Sequence, residues 1–423
     1  MEEALYRAYV KILEEELVPA MGCTEPIAVA YAAALARETL GETPQSVDVR
    51  VSANIIKNVK SVVVPHTGGL RGIAAAVAAG VVAGDAGKEL EVLSAVTEEH
   101  VAAMANYLRD TTIAISPSQS GYIFDIQIRV KARDHAAFIQ IAGSHTNVIR
   151  VEKDGTALRS LEYAEGGQPE QTDRSLLNVE KIIEFADCVD IEDVKAVLDR
   201  QIAYNTAIAE EGFRGNWGAN IGSVLLKAYG DGVANRAKAA AAAGSDARMS
   251  GCELPVVINS GSGNQGLTVS LPVIEYAQQL GADQETLYRA LLISNLLSIH
   301  IKRHIGVLSA FCGAVSAAAG AGAAITFLYS GTYDQICMTI VNTLANVGGI
   351  VCDGAKSSCA AKISASLDAA IVGHHMAMAG RVFPAGEGLV KDGIEATIQS
   401  IGRMAREGMR DTDIEILRIM ISC

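Results

Sequence analysis

The stretch Gly349–Ile363, GIVCDGAKSSCAAKI, sets two thiols among glycine, serine and alanine. The Asp-Gly step inside it predicts a turn. Six residues separate Cys352 from Cys359, which is wider than the usual knuckle of a structural zinc site. A third thiol, Cys312, lies in another small-residue run, AFCGAVSAAAGAGAA. Thiolates suit zinc or iron–sulfur clusters, and three can hold a [4Fe-4S] cluster with one iron open to substrate. The alternative is that all three are buried structural cysteines, which pack like small hydrophobes.

Composition indicates an acidic globular protein whose core consists mainly of small and aliphatic side chains. Of the 423 residues, 50% are hydrophobic but only 5% are aromatic, and 40 are glycine. The core must therefore consist of aliphatic side chains, with close helix–helix contacts. The net charge of −13 argues against nucleic acid and against anionic membrane surfaces. Eight cysteines are too sparse for a disulfide framework, which favours a reducing cytoplasm.

One uncharged segment is long enough to be considered as a membrane span. Residues 306–329 carry no charge and are long enough to span a bilayer. Glycine, alanine and serine dominate the segment, so transfer into lipid gains little. We therefore predict a helix buried inside a large helical domain. At the N-terminus, MEEALYRAYVKILEEEL predicts an acidic amphipathic helix rather than a signal peptide.

Cys23 is the first candidate for chemistry. It precedes a predicted helix whose first turn holds Glu25 and Pro26. A thiol at a helix N-terminus is expected to have a lowered pKa, because it lies at the positive end of the macrodipole. Cys23 is therefore a candidate base, nucleophile or fourth cluster ligand. The alternative is a capping residue with a buried thiol.

The hydrophobic pattern along the chain predicts an α+β fold with two main parts. Helices in residues 1–44 are expected to pack on a helical domain. Residues 45–151 alternate as strands at 47–53, 59–65, 122–132 and 137–155, with helices at 72–87 and 96–110, and predict a smaller α+β domain. Residues 152–176 are polar and predict a linker or loop. Residues 177–423 predict the Ala/Gly-rich helical domain that carries the three thiols.

Three loops offer groups that can hold a small charged ligand. The first, VPHTGGLRG at 64–72, opens a helix whose free N–H groups can receive a carboxylate. The second, SHTN at 144–147, ends a strand, and the third, NSGSGNQG at 259–266, opens another helix. Ordinary turn chemistry is the alternative for each loop. The candidate substrate-binding residues are Thr67, Gly68, Gly69, His145, Thr146, Ser260, Ser262 and Asn264.

His300 and His304 stand one helical turn apart, a spacing that can bind zinc. The metalloprotease pattern requires a glutamate at position 301, which is Ile301 here. Lys302 and Arg303 lie beside them, so the pair is better interpreted as the polar end of a helix.

Several of these motifs together resemble a known family. They are GCTEPIAVA at 22–30, VPHTGGLRGI at 64–73, NSGSGNQG at 259–266, Cys312, CDGAKSSC at 352–359, and the C-terminal TIQSIGRMAREGMRDTDIEIL. In this order they are similar to the L-cysteine desulfidases, which are related to the alpha chain of iron–sulfur L-serine dehydratases. The resemblance implies an oxygen-sensitive [4Fe-4S] cluster held by Cys312, Cys352 and Cys359. Cys23 would then face the open iron or serve as base.

The resemblance also implies β-elimination from a small amino acid, most simply L-cysteine, giving hydrogen sulfide, pyruvate and ammonia. L-serine is the alternative substrate of the same chemistry. A pyridoxal enzyme with Lys356 or Lys57 as Schiff-base lysine is a further alternative, and a non-enzymatic iron–sulfur redox sensor is another. The related dehydratases place a C-terminal cysteine near the cluster, a role that Cys423 would imitate. The expected partners are the amino acid and, as an open alternative, a second copy in a homodimer.

Overall fold

The computed structural model describes residues 1–60, 62–163, 172–306 and 308–421. Cys423 and the middle of the predicted 152–176 connection lie outside the described residues. The chain combines a mixed sheet with a larger helical part, which confirms the predicted α+β class. The helices are α1 (Glu3–Glu16), α2 (Thr24–Leu40), α3 (Ala53–Val59), α4 (Gly72–Ala83), α5 (Glu98–Asp110), α6 (Val179–Cys188), α7 (Lys195–Arg214), α8 (Ile221–Tyr229), α9 (Val233–Met249), α10 (Gly263–Leu280), α11 (Gln284–Ile305), α12 (Gly313–Leu328), α13 (Tyr333–Val347), α14 (Ser358–Met378), α15 (Ile394–Arg403) and α16 (Arg410–Ile421).

The strands form one large sheet and one small ribbon. They are β1 (Pro19–Met21), β2 (Ser46–Val51), β3 (Thr112–Pro117), β4 (Asp125–Ala132), β5 (His135–Ala142), β6 (Val148–Lys153), β7 (Thr156–Ser160) and β8 (Pro255–Val257). The sheet has the order β3-β2-β4-β5-β6-β7, with only β2 and β3 parallel. Along β4, Ile126, Ile128 and Val130 are buried while Arg129 and Lys131 are exposed, so one face of the sheet packs on the core.

Three segments differ from the sequence prediction. Thr156–Ser160, assigned to the linker, forms the edge strand β7, and all its residues are exposed, so no alternation marked it. Thr112–Pro117 forms β3 at the opposite edge and was not predicted as a strand. Residues 59–65, predicted as a strand, make only the Val63–Arg71 bridge among their described positions, because helix α3 extends to Val59.

The prediction that both N-terminal helices pack on the helical domain is wrong for α2. This helix packs against α4 and against strands β4 and β5. Its residues 26–34 are buried without interruption, so the helix has no polar face to turn towards water. Helix α1 does lie on the helical part, where the ring of Tyr9 is 5.3 Å from that of Phe185 in α6.

Small residues let the buried helices approach closely. Residues 314–326 of α12 are all buried, and a Cβ added at Gly320 would lie 2.4 Å from the carbonyl oxygen of Ser294 in α11. The uncharged segment 306–329 therefore contributes a buried helix, as its composition predicts. None of the helices within the described ranges has both the length and the apolarity needed to cross a membrane.

Gly80 offers a direct test of this close packing. A Cβ added there would lie 2.1 Å from the carbonyl oxygen of Ala30 in α2. We expect Gly80→Ala to lower the free energy of unfolding by about 2 kcal/mol, because overpacking outweighs the gain in helix propensity. Gly408→Ala is the matched control, since its Cβ would meet only Met404 Cγ at 3.9 Å. Denaturant unfolding of both variants checks this, and equal stabilities would contradict it.

A short ribbon connects the sheet region to the helices. Strand β1 pairs antiparallel with β8, which brings the start of α2 beside the loop before α10. The Thr24 hydroxyl donates a hydrogen bond to the carbonyl oxygen of Gly261 at 3.0 Å. Two loops that are far apart in sequence therefore meet at one place.

Candidate active site

One cavity of about 110 Å³ collects chemical groups from both parts of the chain. Such a volume holds several water molecules or a small ligand. Its lining thiols are Cys23, Cys312, Cys352 and Cys359. Its lining polar residues include Glu25, Lys57, Asn58, His145, Arg248, Ser260, Ser262, Asn264, Gln265 and Lys302.

A larger cavity of about 450 Å³ lies between helices α7, α10 and α11. Its charged lining residues are two carboxylates, Glu210 and Asp283, and no thiol lines it. Asp283 already caps α11 by accepting a hydrogen bond from the backbone of Thr286. The smaller cavity is therefore the better candidate for chemistry, because it combines thiols, cations and a carboxylate.

Backbone pairing places Cys312 beside Cys352. The N–H of Cys312 donates to the carbonyl of Ile350 at 2.9 Å, and the N–H of Cys352 donates to the carbonyl of Ala310 at 2.6 Å. The two segments thus run as a miniature antiparallel ribbon through the Phe311–Val351 bridge. Because it accepts a hydrogen bond from Cys312 and lies near Lys57 and Lys302, Cys352 has a lowered pKa, whereas the pKa of Cys312 is raised.

The other two thiols pack in one apolar cluster. Cys359 lies in the first turn of α14, and its thiol donates to the carbonyl of Gly354 at 3.7 Å. Cys23 is the N-cap of α2 and packs in a small apolar cluster with Met249, against which Cys359 also lies. Four thiols therefore share one cavity, although they come from three distant segments of the chain.

The donor set fits a cluster better than a single ion. Among the residues that the structure describes, no three His, Cys, Asp or Glu side chains converge closely enough to hold one metal ion. In a [4Fe-4S] cluster each thiolate binds a different iron, so the thiolates surround the group and need not converge. The four thiols line one cavity from three segments of the chain, an arrangement compatible with that requirement.

Two buried lysines supply positive charge beside the thiols. Lys57 is 4% exposed and forms an ion pair with Asp413 of α16. The ammonium group of Lys302 donates to the carbonyl of Gly306, and burial lowers the pKa of Lys302 to about 8. Buried ammonium groups stabilise nearby thiolate charge, so this part of the cavity suits an anionic metal–thiolate group.

Cys23 differs from the prediction of a lowered pKa. Its side chain is only 2% exposed, and its thiol donates a hydrogen bond to the Glu25 carboxylate at 3.0 Å. Burial and the adjacent negative charge raise the pKa of Cys23 well above its usual value, which is the opposite of the predicted direction. Burial opposes ionisation of Glu25, but nearby His145 and the Cys23 hydrogen bond leave the pKa of Glu25 below its usual range. The resting pair is therefore a thiol and a carboxylate.

His145 reaches the cavity from the end of the sheet. Its ring packs edge-on against Phe124 with the centroids 4.8 Å apart. Gly261 lies against the other side, where an added Cβ would be 3.1 Å from His145 Cε1. Burial lowers the pKa of His145, so its imidazole is neutral near neutral pH.

Several buried polar atoms at this cavity have no hydrogen-bond partner among the described residues. Native proteins rarely leave buried polar atoms without partners, and such atoms mark a place for a ligand or water. These atoms are Asn58 Oδ1, His145 Nε2, Arg248 Nε and Gln265 Oε1.

Comparison with known proteins identifies the family of this chain. A family model described as serine dehydratase alpha chain matches residues 87–418. The chain belongs to the serine dehydratase alpha-chain family. Membership places it in a lyase-like enzyme family, and the matched range contains Cys312, Cys352 and Cys359.

Relatives extend the similarity over the whole chain. A UPF0597 protein of Desulfitobacterium hafniense is 55% identical, with 100% of this chain and 98% of the relative covered. UPF0597 proteins of Lachnoclostridium phytofermentans and Treponema denticola are 53% and 46% identical, each with at least 99% of both chains covered. The alignments with these relatives therefore also cover the segment with Cys23 and Glu25, which precedes the family match.

The structure brings together some of the predicted substrate-binding residues but not others. His145, Ser260, Ser262 and Asn264 line the cavity of this family member. By contrast, Thr67, Gly68, Gly69 and Thr146 are not among its lining residues, so their contact with a substrate stays a prediction. The Thr67 hydroxyl donates to the carbonyl of Val64 at 2.7 Å, so the 64–72 loop uses its own polar groups in its turn.

Sequence reasoning missed five residues that line the cavity. Glu25 was interpreted as part of a helix start and Lys302 as part of a polar helix end. Asn58 and Arg248 stand in helices without a motif of their own, and Gln265 belongs to the NSGSGNQG motif but was not chosen as a binding residue. A charged residue inside the alanine-rich run of α9 was the available signal for Arg248, because such a helix is expected to be buried.

The remaining candidates lie elsewhere. Lys356 pairs with Asp353 at 3.3 Å and does not line the cavity, whereas Lys57 lines it but pairs with Asp413. His300 Nε2 lies 2.8 Å from Glu395. This contact gives His300 a carboxylate partner within the protein, consistent with the interpretation of a polar helix end.

Proposed function

We propose that this protein is an iron–sulfur-dependent lyase that removes the β-substituent of a small amino acid, with L-cysteine as the preferred substrate. The observation that carries the proposal is one cavity shared by three candidate cluster thiols and a Cys23–Glu25 pair. Elimination needs an acceptor for a weakly acidic α-proton and help for a poor leaving group. The cavity offers groups for both tasks.

Cys312, Cys352 and Cys359 would hold a [4Fe-4S] cluster. Three ligands leave one iron open, and serine dehydratase alpha chains are generally linked to iron–sulfur clusters. When bound, such a cluster supplies a Lewis acid for the leaving sulfur or oxygen. Lys57 and Lys302 would balance part of the negative charge of the thiolates, which lowers the free energy of burying them.

Cys23 and Glu25 would accept the α-proton. The thiol already donates its proton towards Glu25 Oε2, so a free thiolate is not required beforehand. As the α-proton arrives on the Cys23 sulfur, the thiol proton moves to the Glu25 carboxylate. Both groups are buried, so little water is available to compete for the proton.

The bond changes then balance. The electrons of the broken Cα–H bond form the Cα=Cβ bond, and the Cβ–S bond breaks with its electrons leaving on sulfur as hydrosulfide. The organic product is aminoacrylate, which tautomerises and reacts with one water to give pyruvate and ammonia. His145, Ser260, Ser262 and Asn264 would contact the amino acid from the side of the sheet and of α10.

The choice between cysteine and serine is testable. Sulfur is a softer ligand than a hydroxyl oxygen and a thiol is a better leaving group, so we expect kcat/KM for L-cysteine to exceed that for L-serine by about tenfold or more. The measurement is anaerobic turnover of both amino acids by the iron-loaded protein. A preference for L-serine would contradict the proposed substrate but would still support the proposed β-elimination. Turnover of neither would favour the redox-sensor interpretation.

A further inference from the structure

We infer that Arg248 binds the α-carboxylate of the substrate and that this contact restricts the site to amino acids with a free carboxylate. The inference rests on the proposed function for the identity of the reaction, but its evidence is separate. Arg248 is 3% exposed, and its Nε has no hydrogen-bond partner among the described residues. A guanidinium remains charged at all ordinary pH values.

Burying such a cation without an anion is costly. Within the described ranges, Arg248 takes part in no ion pair; Glu25 lies near enough to interact with it electrostatically, but the Glu25 oxygens already accept hydrogen bonds from Cys23, Thr24 and Asn58. The desolvation of a buried charge is offset only when a hydrogen-bonded counter-charge is present. A carboxylate fits best, because the planar guanidinium can bind both of its oxygens.

The surroundings of Arg248 hold it towards the start of α10. A Cβ added at Gly263 would lie 2.3 Å from Arg248 Nε, so only glycine leaves room for the guanidinium at this position. Helix α10 begins at Gly263 with Ser262 as its N-cap, and both residues line the cavity or border it. The first N–H groups of a helix lack intrahelical partners and favour an anion. A carboxylate beside Arg248 would accept hydrogen bonds from the guanidinium and from the first N–H groups of α10.

The other unpartnered atoms complete a site for a zwitterion. Asn58 Nδ2 donates to Glu25 Oε1 at 2.8 Å, which leaves Asn58 Oδ1 as an acceptor without a partner. Gln265 Oε1 is a second such acceptor, and the Gln265 side chain lies against Gly313, next to Cys312. Carbonyl oxygens of this kind accept hydrogen bonds from an ammonium group. The cavity therefore offers a hydrogen-bond donor for the carboxylate of an amino acid and acceptors for its ammonium group.

The test compares Arg248→Met with the unaltered full-length protein under anaerobic conditions. L-alanine is the probe, because it has both charged groups and no β-leaving group, and ethylamine is the same molecule without the carboxylate. We expect Arg248→Met to weaken L-alanine binding by about 100-fold, as measured by calorimetry, while ethylamine binds equally weakly to both proteins. Arg248→Lys should weaken L-alanine binding by only about tenfold, because it keeps the charge but loses the bidentate contact.

Two controls separate binding from folding. Arg200→Met removes another arginine whose Nε is buried without a partner, outside the cavity, and should leave L-alanine binding unchanged. Thermal unfolding of all variants identifies any that fail to fold. If Arg248→Met does not fold, unchanged L-alanine binding in Arg248→Lys would overturn the inference. Unchanged L-alanine binding in folded Arg248→Met would overturn the inference even if L-cysteine is turned over. Arg248-dependent L-alanine binding without turnover would support the inference and contradict the proposed reaction.

Discussion

Replacing Cys352 by alanine is expected to abolish iron binding and turnover together. Cys352 lies beside Cys312 through paired backbone hydrogen bonds and has a lowered pKa, so its sulfur is poised as a thiolate ligand. Removing it leaves two of the three proposed ligands. Anaerobically purified wild-type protein should contain about four irons per chain and show a broad brown absorbance band that air bleaches. The variant should be colourless.

Cys252→Ala is the matched control for this experiment. Cys252 is also buried and free, but it does not line the cavity. We expect this variant to keep the iron content, the absorbance band and the turnover of the wild type. Cys312→Ala and Cys359→Ala should behave like Cys352→Ala. Full turnover by colourless, iron-free wild-type protein would contradict the cluster, and normal iron content in Cys352→Ala would contradict this ligand.

The thiols could be found from the sequence because small residues surround them, but their arrangement could not. Cys312 and Cys352 meet through the Phe311–Val351 bridge, a pairing between loops with no strand pattern. Cys23 joins them only because α2 packs on the sheet and β1 pairs with β8. These contacts depend on tertiary packing, which hydrophobic periodicity does not reveal.

The same limit explains which of the candidate loops line the cavity. The 64–72 and 259–266 loops have similar compositions of glycine and hydrogen-bonding side chains, and both precede helices. Only the second faces the cavity, while Thr67 in the first donates to its own loop. Local chemistry is the same for a turn that binds a ligand and for one that closes on itself. Arg248 was missed for the converse reason, since its importance lies in its lack of a partner.

The Cys23–Glu25 pair gives the second large effect that we expect. Cys23→Ser and Glu25→Gln should each lower kcat by about 10²-fold or more, a size typical for loss of an acid–base group. Glutamine keeps nearly the size of glutamate but removes the charge that draws the thiol proton. If the two side chains act as one relay, the double variant should be little worse than either single variant, because removing one member already stops the proton transfer.

Iron content and the cluster spectrum distinguish this relay from the alternative in which Cys23 is a fourth cluster ligand. A relay predicts that Cys23→Ser keeps both unchanged while turnover falls, whereas a ligand predicts that the spectrum changes first. Glu395→Gln is the control, because Glu395 is a half-buried carboxylate bonded to His300 outside the cavity, and its turnover should stay near that of the wild type. Losses that multiply in the double variant would contradict a shared proton path, since independent roles for Cys23 and Glu25 would then add in free energy.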